Sequence, residues 1–195
     1  MKGLHNKKMM VLITGGSGSG KSAFAEDYLL RLAAQNDEKY YIATMQPFGK
    51  ESLARIERHR KLREGKGFLT IEQQREIQKA LEKMKSRAGE VCPKRSALLE
   101  CISNLTANEM FTEIGRKSRE WVTEQIICDI DALERELKHL VIVTNNVFED
   151  GISYEEATMD YIEAMGIVNE KLAGRADVVI EVAAGIPIVW KGAAQ

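Results

Sequence analysis

Residues 15–22 read GGSGSGKS, a complete G-x-x-x-x-G-K-S stretch. It follows the apolar run MMVLIT at 9–14 and opens SAFAEDYLLRLAA at 22–34. In the latter, Phe24, Tyr28, Leu29, Leu32 and Ala33 recur at helical spacing. Strand, glycine loop and helix in that order form the context in which this pattern binds phosphate. Glycines permit positive backbone torsions and bring bare N–H groups close to anionic oxygens. The helix N-terminus adds its partial positive charge. The spacing predicts that Gly15, Gly16, Ser17, Gly18, Ser19 and Gly20 cradle a nucleotide's phosphates. Lys21 is expected on the β- and γ-phosphates, and the Ser22 hydroxyl on Mg²⁺.

The rest of the chain repeats that alternation. Apolar runs at 40–44, 96–101, 140–144, 177–183 and 186–190 read as strands. Segments at 51–64, 72–88, 103–114, 119–139 and 153–173 read as helices. The fold class that follows is an α/β P-loop NTPase with a mostly parallel sheet and helices on both faces. Residues 9–195 are expected to form one domain behind a loose polar leader, 1–8. A phosphate loop needs a carboxylate on its metal side, at the end of a neighbouring strand. Glu100, closing SALLE, is the candidate for that second Mg²⁺ contact. No N/T-K-x-D motif occurs, so the loop indicates a nucleoside triphosphate without choosing its base.

Charge narrows the partners. Lys plus Arg number 28 and Asp plus Glu 29, a formal net charge of −1. Such a balance gives no general attraction to nucleic acid or anionic membranes. No apolar run approaches the roughly 20 residues of a membrane-spanning helix. Cys92, Cys101 and Cys128 are odd in number and lack metal-ligand spacing, which suits a reduced, cytoplasmic compartment.

One histidine stands apart. His59 lies in ARIERHRKLR, residues 54–63, with Arg55 and Arg63 four residues to either side on one helical stripe. Arg58, Arg60 and Lys61 crowd it. Clustered cations disfavour imidazolium, so the ring is expected to be neutral near pH 7 and nucleophilic. The same cations would neutralise a triphosphate. Attack by a ring nitrogen on phosphorus would give a phosphoramidate. The competing reading is an ordinary solvated basic helix. His139 closes a predicted helix and His5 lies in the leader; neither carries comparable surroundings.

Taken together, the chain resembles the bifunctional adenosylcobinamide kinase/adenosylcobinamide-phosphate guanylyltransferase family. The resemblance runs through ITGGSGSGKS (13–22), YIAT (41–44), ARIERHR (54–60), LLECISNLTANEMF (98–111), VIVTNNVFEDGI (141–152), VNEKLAGRADVVIEVAAGIP (168–187) and VWKG (189–192). It implies two reactions. ATP or GTP phosphorylates the aminopropanol hydroxyl of adenosylcobinamide. GTP then transfers GMP to that phosphate, giving adenosyl-GDP-cobinamide. It further implies that His59 becomes guanylylated, with Lys21 the other catalytic residue. Arg60, Lys61, Leu62 and Arg63 would lie near guanine nucleotide. Thr44, Met45 and Gln46 fall where the second strand's end approaches the nucleotide, and Glu72 and Glu100 match acids of the pattern. The expected partners are GTP or ATP and a corrinoid, with a homo-oligomer, a trimer, as the assembly. The chain departs from the pattern at Glu64, which replaces a proline, and at Asn146, which replaces an acid. Two rivals are a small-molecule kinase that forms no covalent GMP and a non-catalytic nucleotide-binding regulator.

Overall fold

The computed structural model describes residues 7–47, 57–58, 60–61, 63–85, 94–146 and 154–193. The strands are β1 (Met9–Thr14), β2 (Glu38–Ala43), β3 (Phe68–Glu72), β4 (Arg95–Glu100), β5 (Phe111–Thr112), β6 (Gly115–Arg116), β7 (His139–Val143), β8 (Val178–Ala183) and β9 (Ile186–Lys191). The helices are α1 (Lys21–Leu32), α2 (Ala80–Lys85), α3 (Ile102–Met110), α4 (Arg119–Glu136) and α5 (Glu156–Arg175), with a 3-10 turn at Ile77–Lys79. Seven strands form one sheet in the order β3-β2-β4-β7-β1-β8-β9. Every pairing is parallel except the β8–β9 hairpin.

The apolar runs explain this sheet. In β1, Met10 and Leu12 belong to one core and Met9, Val11 and Ile13 to the other. Side chains alternate across a strand, so a continuous apolar run means both faces are covered. On one face Ala25, Tyr28, Leu29 and Leu32 of α1 pack against Val141, Val143 and Ile180. On the other, Ile102 and Leu105 of α3, Ile126 and Ile130 of α4, and Met165 and Val168 of α5 cover Ile42, Leu99 and Ile142. The parallel strands end together, so the loops after β1, β2, β4 and β7 meet along one edge of the sheet. Ligands bind at that edge in open α/β sheets.

Two predicted helices are corrected. The 72–88 segment does not begin as a helix: Phe68–Glu72 is a strand parallel to β2, and helix starts only at the 3-10 turn. Ile71 is buried beneath the sheet's edge, and Glu109 Oε1 accepts from the Glu76 N–H at 2.6 Å, which fixes the turn. The 103–114 helix ends at Met110. Phe111 pairs with Arg116 in a small hairpin whose turn uses Gly115 at φ 130°. In the 51–64 segment, Glu57, Arg58, Arg60, Lys61 and Arg63 are helical as expected.

Candidate active site

The phosphate loop bridges β1 and α1. Gly20 caps α1 in the left-handed region at φ 89°, and no acid occupies the first helical turn. The loop is seated on the β8–β9 turn, where the Gly185 N–H donates to the Ser19 carbonyl at 2.9 Å. A Cβ at Gly15 would lie 2.5 Å from the Val182 carbonyl oxygen, so only glycine fits there. Lys21 is buried and donates from Nζ to the Gly16 carbonyl at 2.9 Å. Burial lowers its pKa, opposed by the nearby Glu100 carboxylate.

Glu100 ends β4, with one strand (β7) between it and β1. Ser22 Oγ donates to Glu100 Oε1 at 2.7 Å. The other oxygen, Oε2, is buried with no hydrogen-bond partner among the described residues. Burial pushes the carboxyl up to about 7; the Ser22 bond and the Lys21 charge pull the other way. A hydroxyl and an unpartnered carboxylate oxygen make a hard-oxygen donor pair beside a phosphate cradle. That chemistry fits Mg²⁺, which takes one or two protein oxygens and completes its shell with phosphates and water.

A cavity of about 650 Å³ opens at this edge. The loop from Ser17 to Ser22 lines it together with Glu100, Arg58, Arg60, Arg63, Met45 and Glu72. Arg63 is buried, its guanidinium carbon 3.6 Å from the Tyr41 ring centroid. Its Nε has no hydrogen-bond partner among the described residues. Arg60 forms an ion pair with Glu72 at the end of β3. Lys66 donates to Glu26 of α1 at 2.7 Å, tying the end of the arginine segment to the helix of the phosphate loop.

The remaining expected residues separate. Thr44 is fully buried and is not part of the cavity wall. Its hydroxyl donates to the backbone carbonyls of Glu100 and Cys101 and accepts from the Cys101 N–H, so it holds the end of β4 in place. Gln46 and Lys61 are exposed outside the cavity lining, while Gly15 and Gly16 shape the loop behind it. His59 and Leu62 lie outside the described residues. Arg58, expected only among the cations around His59, is a wall residue, and the wall also holds Tyr41, Asn104 and Asn145, which the sequence does not single out as site residues. Tyr41 reads only as a strand residue, and the Asn104 and Asn145 positions become visible once the strand ends are aligned.

The family model described as cobinamide kinase / cobinamide phosphate guanyltransferase (CobU) matches residues 11–190. Two relatives named bifunctional adenosylcobalamin biosynthesis protein CobU come from Escherichia coli and Salmonella typhimurium. Each is 31% identical over 192 residues, spanning 94% of this chain and 100% of the relative. A solved ATPase domain superposes with a TM-score of 0.54 at 13% identity, over 89% of this chain and 69% of that one. At that identity the likeness concerns the fold, and it agrees with the P-loop α/β architecture.

Proposed function

Because the chain belongs to the cobinamide kinase / cobinamide phosphate guanyltransferase family, we propose that this one cavity carries two successive transfers. In the first, the aminopropanol hydroxyl of adenosylcobinamide attacks the γ-phosphorus of ATP or GTP. An O–P bond forms, the bond to the β-phosphate oxygen breaks, and the nucleoside diphosphate leaves with the electron pair. The loop amides and Lys21 stabilise the charge on the phosphates. Ser22 and Glu100 would hold Mg²⁺, which when bound neutralises phosphate charge.

In the second, a neutral ring nitrogen of His59 attacks the α-phosphorus of GTP and pyrophosphate leaves. An oxygen of cobinamide phosphate then displaces the imidazole, giving adenosyl-GDP-cobinamide. The observation that carries this reading is the shared cavity. Arg58, Arg60 and Arg63, which flank His59 in sequence, line the same space as Lys21, Ser22 and Glu100. Guanidinium groups suit the bidentate recognition that a triphosphate or its GMP fragment requires. Arg63 stacked on Tyr41 offers a flat cationic surface beside it.

The proposal extends to a cytoplasmic homo-oligomer, a trimer. Among the described residues no helix is long and apolar enough to cross a membrane. The deciding experiment incubates the protein with GTP labelled at the α-phosphate, then adds adenosylcobinamide. An acid-labile, alkali-stable adduct that is lost in His59→Ala and chases into guanylylated corrinoid supports the reading. Phosphorylated corrinoid without any adduct would reduce the protein to a kinase.

A further inference from the structure

β7 lies between β1, which leads into the phosphate loop, and β4, which ends in Glu100. The residue leaving β7 therefore emerges beside the phosphate corner of the cavity. The backbone there is held on both sides of Asn145. The Thr144 N–H donates to the Ile13 carbonyl at 2.9 Å, and the Asn146 N–H to the Gly15 carbonyl at 3.3 Å. Asn145 lines the cavity together with Ser22, Glu100 and Asn104. Its carboxamide is oriented too: Nδ2 donates to Ser103 Oγ at 2.5 Å, and that hydroxyl sits 2.9 Å from Cys101 Sγ. Ser103 itself is buried.

This arrangement gives the phosphate corner an uncharged group among charged ones. With Nδ2 turned to Ser103, the carboxamide's other branch is an acceptor oxygen. Phosphate oxygens are acceptors as well, so Oδ1 gains nothing from them. A hydroxyl is a donor, and it can be held by Oδ1 without adding negative charge beside the triphosphate. We propose that Asn145 positions the acceptor's hydroxyl for phosphoryl transfer, its Oδ1 accepting the hydroxyl hydrogen bond while Ser103 fixes the amide. Asn145 takes no proton. The hydroxyl oxygen forms its bond to the γ-phosphorus, the nucleoside diphosphate departs with the electron pair, and the released proton goes to water. The inference rests on the kinase reading above and adds the residue that orients the corrinoid hydroxyl.

The experiment compares full-length wild type, Asn145→Ala, Asn145→Asp and Ser103→Ala with adenosylcobinamide and Mg·ATP. Two products are counted: phosphorylated corrinoid, and phosphate released to water. In Asn145→Ala the ratio of transfer to hydrolysis falls about 30-fold, the loss lying in kcat rather than in KM for nucleotide. Asn145→Asp keeps the acceptor oxygen and retains the ratio within a few-fold, even where its added charge weakens nucleotide binding. Ser103→Ala, which frees the amide, falls between them and serves as the test if Asn145→Ala does not fold. An unchanged ratio in Asn145→Ala overturns the inference alone, as does an Asp variant as impaired as the Ala variant. A wild type that phosphorylates no corrinoid overturns the kinase reading and this inference with it.

Discussion

Glu100 and Asp129 are both carboxylates whose pKa burial raises, to about 7 and about 6. They stand on different parts of the molecule and are treated differently by their surroundings. Asp129, on α4 beneath the 3-10 turn, is almost fully buried. Gln125 Nε2 donates to its Oδ1 at 2.7 Å, and the backbone amides of Gln78 and Ile77 favour its charged form. Glu100, at the cavity, has one oxygen on Ser22 and the other shut from solvent without a hydrogen-bond partner among the described residues. An unsatisfied buried carboxylate oxygen costs stability. At Glu100 that cost is borne beside the cavity; at Asp129 it is met by Gln125 and the backbone amides. The contrast separates a site from a structural joint when two acids both have raised pKa values.

The largest effect should come from the lysine of the phosphate loop. Lys21→Ala is expected to lower corrinoid phosphorylation about 10³-fold, because it removes a preorganised charge from the transferring group. Steady-state rates at saturating nucleotide measure it; a loss below tenfold would place the phosphates elsewhere. Glu100→Gln comes next, with a rate loss of about 10²-fold. It should also make the ligand-free protein more stable by about 1–2 kcal/mol at pH 8, since a buried charge is gone. The sign follows from the raised pKa. Between 4.5, the ordinary value, and about 7 the folded wild type holds more protons than the unfolded chain. Wild-type stability therefore falls as pH rises through that window. The gain of Glu100→Gln is absent below it and full above it, and urea titrations at pH 4.5 and 8 would show this. Asp129→Ala should reverse the pattern: about 2 kcal/mol less stable, with transfer rates near wild type once folded. A rate loss larger than the stability loss in that variant would erase the distinction between the two acids.

The phosphate corner was legible because its chemistry is local. Loop, lysine and helix are contiguous, and Glu100 needs only the end of one apolar run to announce it. The sheet was legible for the same reason, since Val, Ile and Leu runs covered on two faces cannot hide. What escaped depended on contacts distant in sequence. Glu72 reads as the first residue of a charged helix, yet Leu69 and Ile71 pair with Tyr40 and Ile42 and carry it to a strand end. Thr44 reads as a nucleotide contact, while its hydroxyl is consumed by carbonyls more than fifty positions away. Asp129 gives no sequence signal at all; its partners at Ile77 and Gln78 become neighbours only after the helix folds over the turn.

Glu72 supplies the smallest expected effect and the sharpest limit on the comparison. It lines the same cavity as Glu100 but is about half exposed and paired with Arg60, itself about half exposed. Water already solvates both charges, so breaking the pair changes folding stability by less than about 1 kcal/mol. Glu72→Gln should therefore melt close to wild type and show no stabilisation at pH 8, unlike Glu100→Gln. Its consequence should fall on the arginine, which loses the carboxylate that holds it at the end of β3. GMP loading from labelled GTP would then weaken a few-fold in apparent KM, with the corrinoid phosphorylation rate preserved. If Glu72→Gln instead gains stability as Glu100→Gln does, location in the cavity rather than burial of the carboxylate sets the energetic cost.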